Sequence, residues 1–385
     1  MRIGFLINAI VGDGSICIYD LCRHGDKAGH VTRLYGKGFK DNRDGVTTVE
    51  FSDEEIRTLD WWKRESLDAA FFYGTDGFEP SIMRVARAAG ARVVIECDSD
   101  GYVSMLQGPL RVLRVRMWDS RYTLGHKAAI INVWLRHLLF KSAKHEAAIL
   151  EGFELADSIK IESEEPARLL RGFLKRRRRE RLAEKVVTVY FAVRDVFVTA
   201  PVNLPREDLI IVAGRIGAQQ KNPILLEKAL RRFLETPGSA RLEIHVRGEA
   251  PNLERWAASQ PRVRLFKDTP SHVLCQRLTS ARVLVSTSRF ESTPVQGLEA
   301  LCQGCTLIAS DALPGYRSLI QDGAYGETFK DNSADACAKA MQRELERWKA
   351  GRRDPKMIAD HWRGQCSLDV VISRLLALAE GHPSR

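Results

Sequence analysis

The chain has 385 residues, of which 44% are hydrophobic and 28% charged, with a formal net charge of +10. That length exceeds one ordinary domain and fits two, each able to bury its own core. No apolar run approaches the roughly 18 residues that span a bilayer, and eight cysteines scattered over so long a chain are no disulfide framework.

Residues 3–7 read at once as a buried strand, without the long apolar stretch and small-residue cleavage site of a signal peptide, so a cytoplasmic location is expected. A turn at Gly12-Asp13-Gly14-Ser15 precedes a helix over 16–28 and a strand over 30–35. A strand over 67–73, a helix over 80–89 and a strand over 92–96 follow. This alternation is the mark of α/β units around a parallel sheet. Each strand ends in small or polar residues, and the carboxyl edge of such a sheet is where ligands bind. The last of them runs into Glu96-Cys97-Asp98-Ser99-Asp100-Gly101. There Asp98 and Asp100 either meet a ligand's polar groups, build a polar turn, or form an Asp-x-Asp metal site.

Residues 109–150 are less regular. They carry arginines, Trp118, Trp134 and an apolar segment over 130–140 interrupted by Arg136 and His137. Such a helix either lies on a membrane surface or packs on its own domain. Much of the excess positive charge sits between Arg171 and Arg181. This run either draws anionic partners (acidic headgroups, phosphorylated substrates or nucleic acid) or is a solvated face beside the interdomain connection.

The second half is cleaner. Strands are predicted over 209–213, 242–246, 263–266, 283–286 and 306–310, with helices between them and a long helical tail. Asn222 is placed as an N-cap with Pro223 at the first helical position of a helix reaching Glu235. The domain boundary falls within 186–206. Cys302 and Cys305 have the spacing of a zinc or redox pair, but no second pair or nearby histidine completes a site. They read as small residues packing at a helix-to-strand turn.

The chemistry concentrates in Ser286-Thr-Ser-Arg-Phe-Glu291-Ser292-Thr293-Pro294-Val-Gln-Gly-Leu-Glu299. A strand ends, a polar loop carries Glu291, and Pro294 begins a helix with Glu299 one to two turns in. Free backbone N–H groups near Ser292 and Thr293 suit an anion such as a diphosphate. An ionised Glu can accept from two sugar hydroxyls at once. By spacing alone the two Glu residues are equally a surface Glu and a helix Glu that happen to lie eight apart. An earlier strand, however, ends in Gly214-Arg215-Ile-Gly-Ala-Gln-Gln-Lys221-Asn222. Two cations flanking a Gly-containing loop just before a helix suit a pyrophosphate, although the spacing is not that of a Walker A loop.

In these residues the chain resembles the retaining GT-B glycosyltransferases, the group that includes glycogen and sucrose synthases and many bacterial cell-envelope transferases. The resemblance rests on Glu291-x7-Glu299 with the following Ala300 to Gly304, on Leu307 to Ser310 and Gly315 to Gly323, and on Gly214-Arg215 through Lys221-Asn222. More loosely it extends to Gly29-His30-Val31 and to Ala156-Asp157-Ser158-Ile159 through Ser163. It is specific over 209–326 and loose before 150.

What the resemblance implies is an α/β GT-B fold of two Rossmann-like domains with parallel sheets facing across a cleft. An acceptor-binding domain would span 1–190 and a nucleotide-sugar domain 191–365, with a C-terminal helix at 366–385 crossing back to the first domain. Glu299 would hold the ribose hydroxyls and Glu291 the hydroxyls of the transferred sugar. Arg215 and Lys221 would neutralise the diphosphate, without a metal or other cofactor. Ser292, Thr293, Pro294, Thr269 and Gly14 would line the donor, with backbone near Phe266 to Thr269 facing the base. Asp98, Asp100 and Ser15 would approach the acceptor.

The implied activity is retaining transfer from a nucleotide-diphosphate sugar to an acceptor hydroxyl, on a lipid-linked or anionic glycan of envelope or polysaccharide assembly. A peripheral position on the inner face of an anionic membrane goes with it. The alternatives are a soluble transferase for a small acceptor and a non-catalytic GT-B-like protein that binds nucleic acid through its basic face. The arginine run lacks a nucleic-acid motif or interleaved aromatics, so nucleic acid is not the expected partner.

Overall fold

The computed structural model describes residues 1–7, 16–37, 45–73, 79–97, 100–103, 107–117, 123–202, 205–330 and 332–382. The chain divides into two compact units, Met1–Ala192 with Leu368–Arg385, and Val193–Ser367.

The first unit is built on β1 (Arg2–Ile7), β2 (Val31–Gly36), β3 (Thr48–Glu50), β4 (Ala69–Tyr73), β5 (Arg92–Cys97), β6 (Ser158–Ile161) and β7 (Val186–Thr188). All neighbours pair in parallel, in the order β3-β2-β1-β4-β5-β6-β7. A parallel sheet is covered on both faces, so its strands are apolar runs rather than alternations. Successive side chains still point to opposite faces. Phe71 and Phe72 therefore enter different cores: Phe72 joins Leu6, Ile95, Trp62 and Phe153, and Phe71 joins Phe5, Val94 and Ile18. The second core is closed by the helix Leu368–Glu380, whose Leu368, Val371, Ile372 and Leu375 recur at helical spacing. His24 Nδ1 lies 2.8 Å from Asp369 Oδ1 on that helix.

The second unit holds β8 (Leu209–Gly214), β9 (Arg241–Val246), β10 (Val263–Lys267), β11 (Val283–Val285), β12 (Thr306–Ser310) and β13 (Gly326–Phe329). They too are all parallel, in the order β10-β9-β8-β11-β12-β13. Strand order reverses between β8 and β11. In a doubly wound sheet that switch point, at the carboxyl ends, is where a crevice forms.

One sequence expectation changes here, and two others take definite form. Asn222 does precede the helix Pro223–Glu235, but in the left-handed region (φ 54°) and without a capping bond. Its Oδ1 accepts from Arg289 instead, at 3.1 Å. Cys302 and Cys305 are buried but do not face each other as a pair. Cys302 Sγ lies 3.3 Å from Cys366 Sγ, and Cys305 Sγ is 3.0 Å from Leu278 O.

The basic run, thirdly, divides in two. Arg171 pairs with Glu164 (2.8 Å), Arg177 with Glu146 (3.0 Å) and Arg179 with Glu154 (3.0 Å). Lys185, just beyond the run, donates to Glu154 O at 2.8 Å and to Ala156 O at 2.6 Å, where the helix Ser142–Leu155 ends. Burial holds its ammonium below the ordinary lysine range. Lys175, Arg176, Arg178 and Arg181 are exposed.

Candidate functional site

Because β8 and β11 are parallel neighbours, the loops leaving their carboxyl ends meet. Gly214, the last residue of β8, has φ +123°, and a Cβ there would lie 2.3 Å from Gln296 Nε2 in the first turn of the helix Val295–Cys302. The positive φ favours glycine at the strand end, and the Gln296 side chain fills the space that a Cβ would take. Hydrogen bonds then stitch the two loops together: Arg289 N donates to Gln220 O (2.8 Å) and Thr287 Oγ1 to Lys221 O (2.9 Å).

This stitching brings Glu291 and Lys221 into direct contact, Lys221 Nζ donating to Glu291 Oε1. The same oxygen accepts from Ser288 Oγ at 2.8 Å, and Oε2 accepts from Gln220 Nε2 at 3.2 Å. Donors from both loops therefore fix the carboxylate, which is buried. Arg215 follows Gly214 directly and is exposed; among the described residues no carboxylate pairs with its guanidinium. Arg247, at the end of β9, adds a further cation to this edge, its N–H donating to Gly214 O at 2.8 Å.

Glu299 lies deeper in the same helix and is buried, with a side chain only 5% exposed. Burial raises its carboxyl above the ordinary range, and Arg194 opposes that rise. Arg194 Nη2 donates to Glu299 Oε1 at 2.6 Å. Arg194 also donates to Ser271 Oγ, and its guanidinium lies 5.1 Å from the Phe197 ring centre. No signal in the sequence links Arg194 to Glu299, since it precedes β8 and has no motif of its own.

Ser292, Thr293 and Pro294 form the turn between Glu291 and the helix, Thr293 O accepting from Val295 N at 3.0 Å. Gly315 closes under this turn, where a Cβ would lie 2.8 Å from Ser292 O. Thr269 stands on the same edge two strands away, its Oγ1 2.8 Å from His245 Nδ1, and His245 stacks on Phe266 with ring centres 4.9 Å apart. Below them Glu243 faces His245 and Arg277. Burial pushes its carboxyl up, but His245, 3.5 Å away, and the hydrogen bonds from Arg277 outweigh it and take it down to about 2.

In the first unit, Gly14, Ser15 and Asp98 lie outside the described residues. Asp100 accepts from Arg111 and, at 3.3 Å, from Tyr102 N. Both contacts are ones that a polar turn would make. Glu96 is buried against Lys160. Among the described residues no group of three or more His, Cys, Asp or Glu is arranged to hold a metal ion.

Residues 207–347 match the family described as glycosyl transferases group 1. The chain is 27% identical over 101 residues to a lipopolysaccharide 1,6-galactosyltransferase of Salmonella typhimurium, over 24% of this chain and 28% of that protein. It is 27% identical over 150 residues to poly(glycerol-phosphate) alpha-glucosyltransferase of Bacillus subtilis, over 37% of this chain and 21% of that one. The matches thus span about a quarter of the length of these curated relatives. A crystal structure of a glycosyltransferase from Rickettsia africae ESF-5 matches over 98% of this chain and 97% of that one, with a TM-score of 0.65 at 13% identity, a likeness of fold. With two doubly wound parallel sheets, the chain has the GT-B fold, and residues 207–347, which carry the switch point of the second sheet, are similar to the glycosyl transferases group 1.

Proposed function

We propose that the protein is a retaining glycosyltransferase whose nucleotide-sugar donor binds at the carboxyl edge of the second sheet. The observation that carries this reading is the meeting of the Gly214–Lys221 and Ser286–Pro294 loops at the switch point. It sets a fixed carboxylate, a lysine and an arginine without an acidic partner beside one helix start. Glu299, ionised against Arg194, accepts from the ribose hydroxyls. Glu291, already oriented by Lys221, Ser288 and Gln220, accepts from the sugar. Arg215 and Lys221 take the diphosphate, where negative charge grows as the glycosidic bond breaks.

Cations fixed before the reaction stabilise that charge without reorganising, so the leaving group needs no metal. The leaving phosphate then helps to take the acceptor's proton on the face it departs from. That retains the anomeric configuration and asks for no protein nucleophile. The first unit takes the acceptor. Relatives named for lipopolysaccharide and poly(glycerol-phosphate) support an anionic or lipid-linked glycan as acceptor, in preference to a small soluble molecule.

The test is transfer or slow hydrolysis of nucleotide sugars in the presence of EDTA, with the product anomer read by NMR. Retention without added metal is expected. An inverted product, or turnover only with a divalent cation, contradicts the mechanism.

A further inference from the structure

Seven of the thirteen exposed large apolar side chains among the described residues fall between Leu110 and Phe140, so these are not the singly scattered apolar residues normal on a surface. The helix Leu124–Arg136, the π-helical turn His137–Lys141 and the helix Ser142–Leu155 follow one another directly. In the first of these only Trp134 is buried, its Nε1 donating to Pro109 O at 3.0 Å; the π turn buries nothing. Leu124 is 87% exposed, Leu139 69% and Phe140 79%. A helix with its apolar side chains in water lacks the partner that would pay for their exposure.

The charge around it says which partner. Between Gly101 and Glu146 there are eight Lys and Arg and a single acid, Asp119. The pairs Arg177–Glu146 and Arg179–Glu154 tie the basic turn to the helix Ser142–Leu155. Glu146 lies five residues beyond Lys141, about 7–8 Å along a helix axis. The exposed Lys175, Arg176 and Arg178 therefore flank the apolar segment. A second copy of this chain would set cations against cations. Nucleic acid would satisfy the charge but leave Leu139 and Phe140 in water.

We infer that residues 124–141, flanked by Lys175, Arg176 and Arg178, form a docking surface for a bilayer rich in anionic headgroups. Leu139 and Phe140 enter the headgroup–acyl boundary and the cations hold the lipid phosphates. No helix among the described residues is long and apolar enough to cross a membrane, so the contact is peripheral.

The test is flotation of the full chain with phosphatidylcholine vesicles, with and without phosphatidylglycerol, at low and moderate salt. It uses neither donor nor acceptor, so its failure leaves the donor site untouched. Binding is expected to the anionic vesicles only. Exchanging both Leu139→Ser and Phe140→Ser lowers it by about tenfold or more, and Lys175→Glu with Arg176→Glu lowers it about fivefold or more for each cation lost. All four side chains are exposed, so the variants keep the fold, which circular dichroism checks. Absence of flotation at low salt, or equal flotation of wild type and variants, overturns the inference. So does a dimer in sedimentation velocity that Leu139→Ser and Phe140→Ser disperse, or tighter binding to RNA than to vesicles.

Discussion

The two units share a strand order and a parallel sheet, yet they use charge at the carboxyl edge differently. In the first, Glu96 and Lys160 sit within β5 and β6 and are sealed, at 0% and 3% side-chain exposure. Tyr73 at the end of β4 is half-buried beside them, and desolvation, with Glu96 and Glu162, drives its hydroxyl well above the usual range. In the second, the charges stand in loops beyond the strands. Lys221 keeps 14% of its side chain accessible and Arg215 is exposed. One topology thus holds charges sealed within strands and, one loop further on, accessible charges to which the proposed function gives the donor's diphosphate.

Two parallel substitutions test that contrast, and they carry the largest expected effects. Lys221→Met should lower kcat about 100- to 1,000-fold, because the proposed function aims its cation at the developing charge, and should cost less stability than the change at Lys160, because Glu291 keeps the donors Ser288 and Gln220. Lys160→Met leaves Glu96 buried and unpaired and should cost about 3–5 kcal/mol of stability in denaturant unfolding. If Lys221→Met unfolds the protein while Lys160→Met leaves it stable, the distinction collapses.

A smaller effect sharpens the picture at Glu299. In the proposed function the ribose is held by the ionised carboxylate, so donor affinity should fall as pH drops through a Glu299 pKa that burial has raised. Arg194→Gln removes the opposing cation, lifting that pKa further and moving the acid limb to higher pH. At neutral pH it should weaken nucleotide binding about tenfold. An acid limb that stays in place would separate Arg194 from Glu299.

The second sheet and its loops were legible because their signals are local. Strand ends, the Gly214-Arg215 loop and the eight-residue step from Glu291 to Glu299 can each be read within one β–loop–α unit. Arg194 was not legible, because it reaches Glu299 from a position 105 residues earlier and a buried Glu does not announce which cation it meets. The three-residue strands Thr48–Glu50 and Val186–Thr188 are too short for a periodic signal. The apolar segment over 130–140 looks the same in sequence whether it packs inside or faces outward. Only the fold, by burying Trp134 and exposing Leu139 and Phe140, separates the two.

In the proposed function the edge of the second sheet is a nucleoside-diphosphate site assembled without metal. Isothermal calorimetry of the diphosphates of uridine, guanosine, adenosine and thymidine in EDTA tests it most directly, with Glu299→Ala and Arg215→Ala alongside. One nucleotide should bind, about tenfold or more weaker in each variant. Binding that neither variant alters, or no binding to a well-folded chain, would contradict the account.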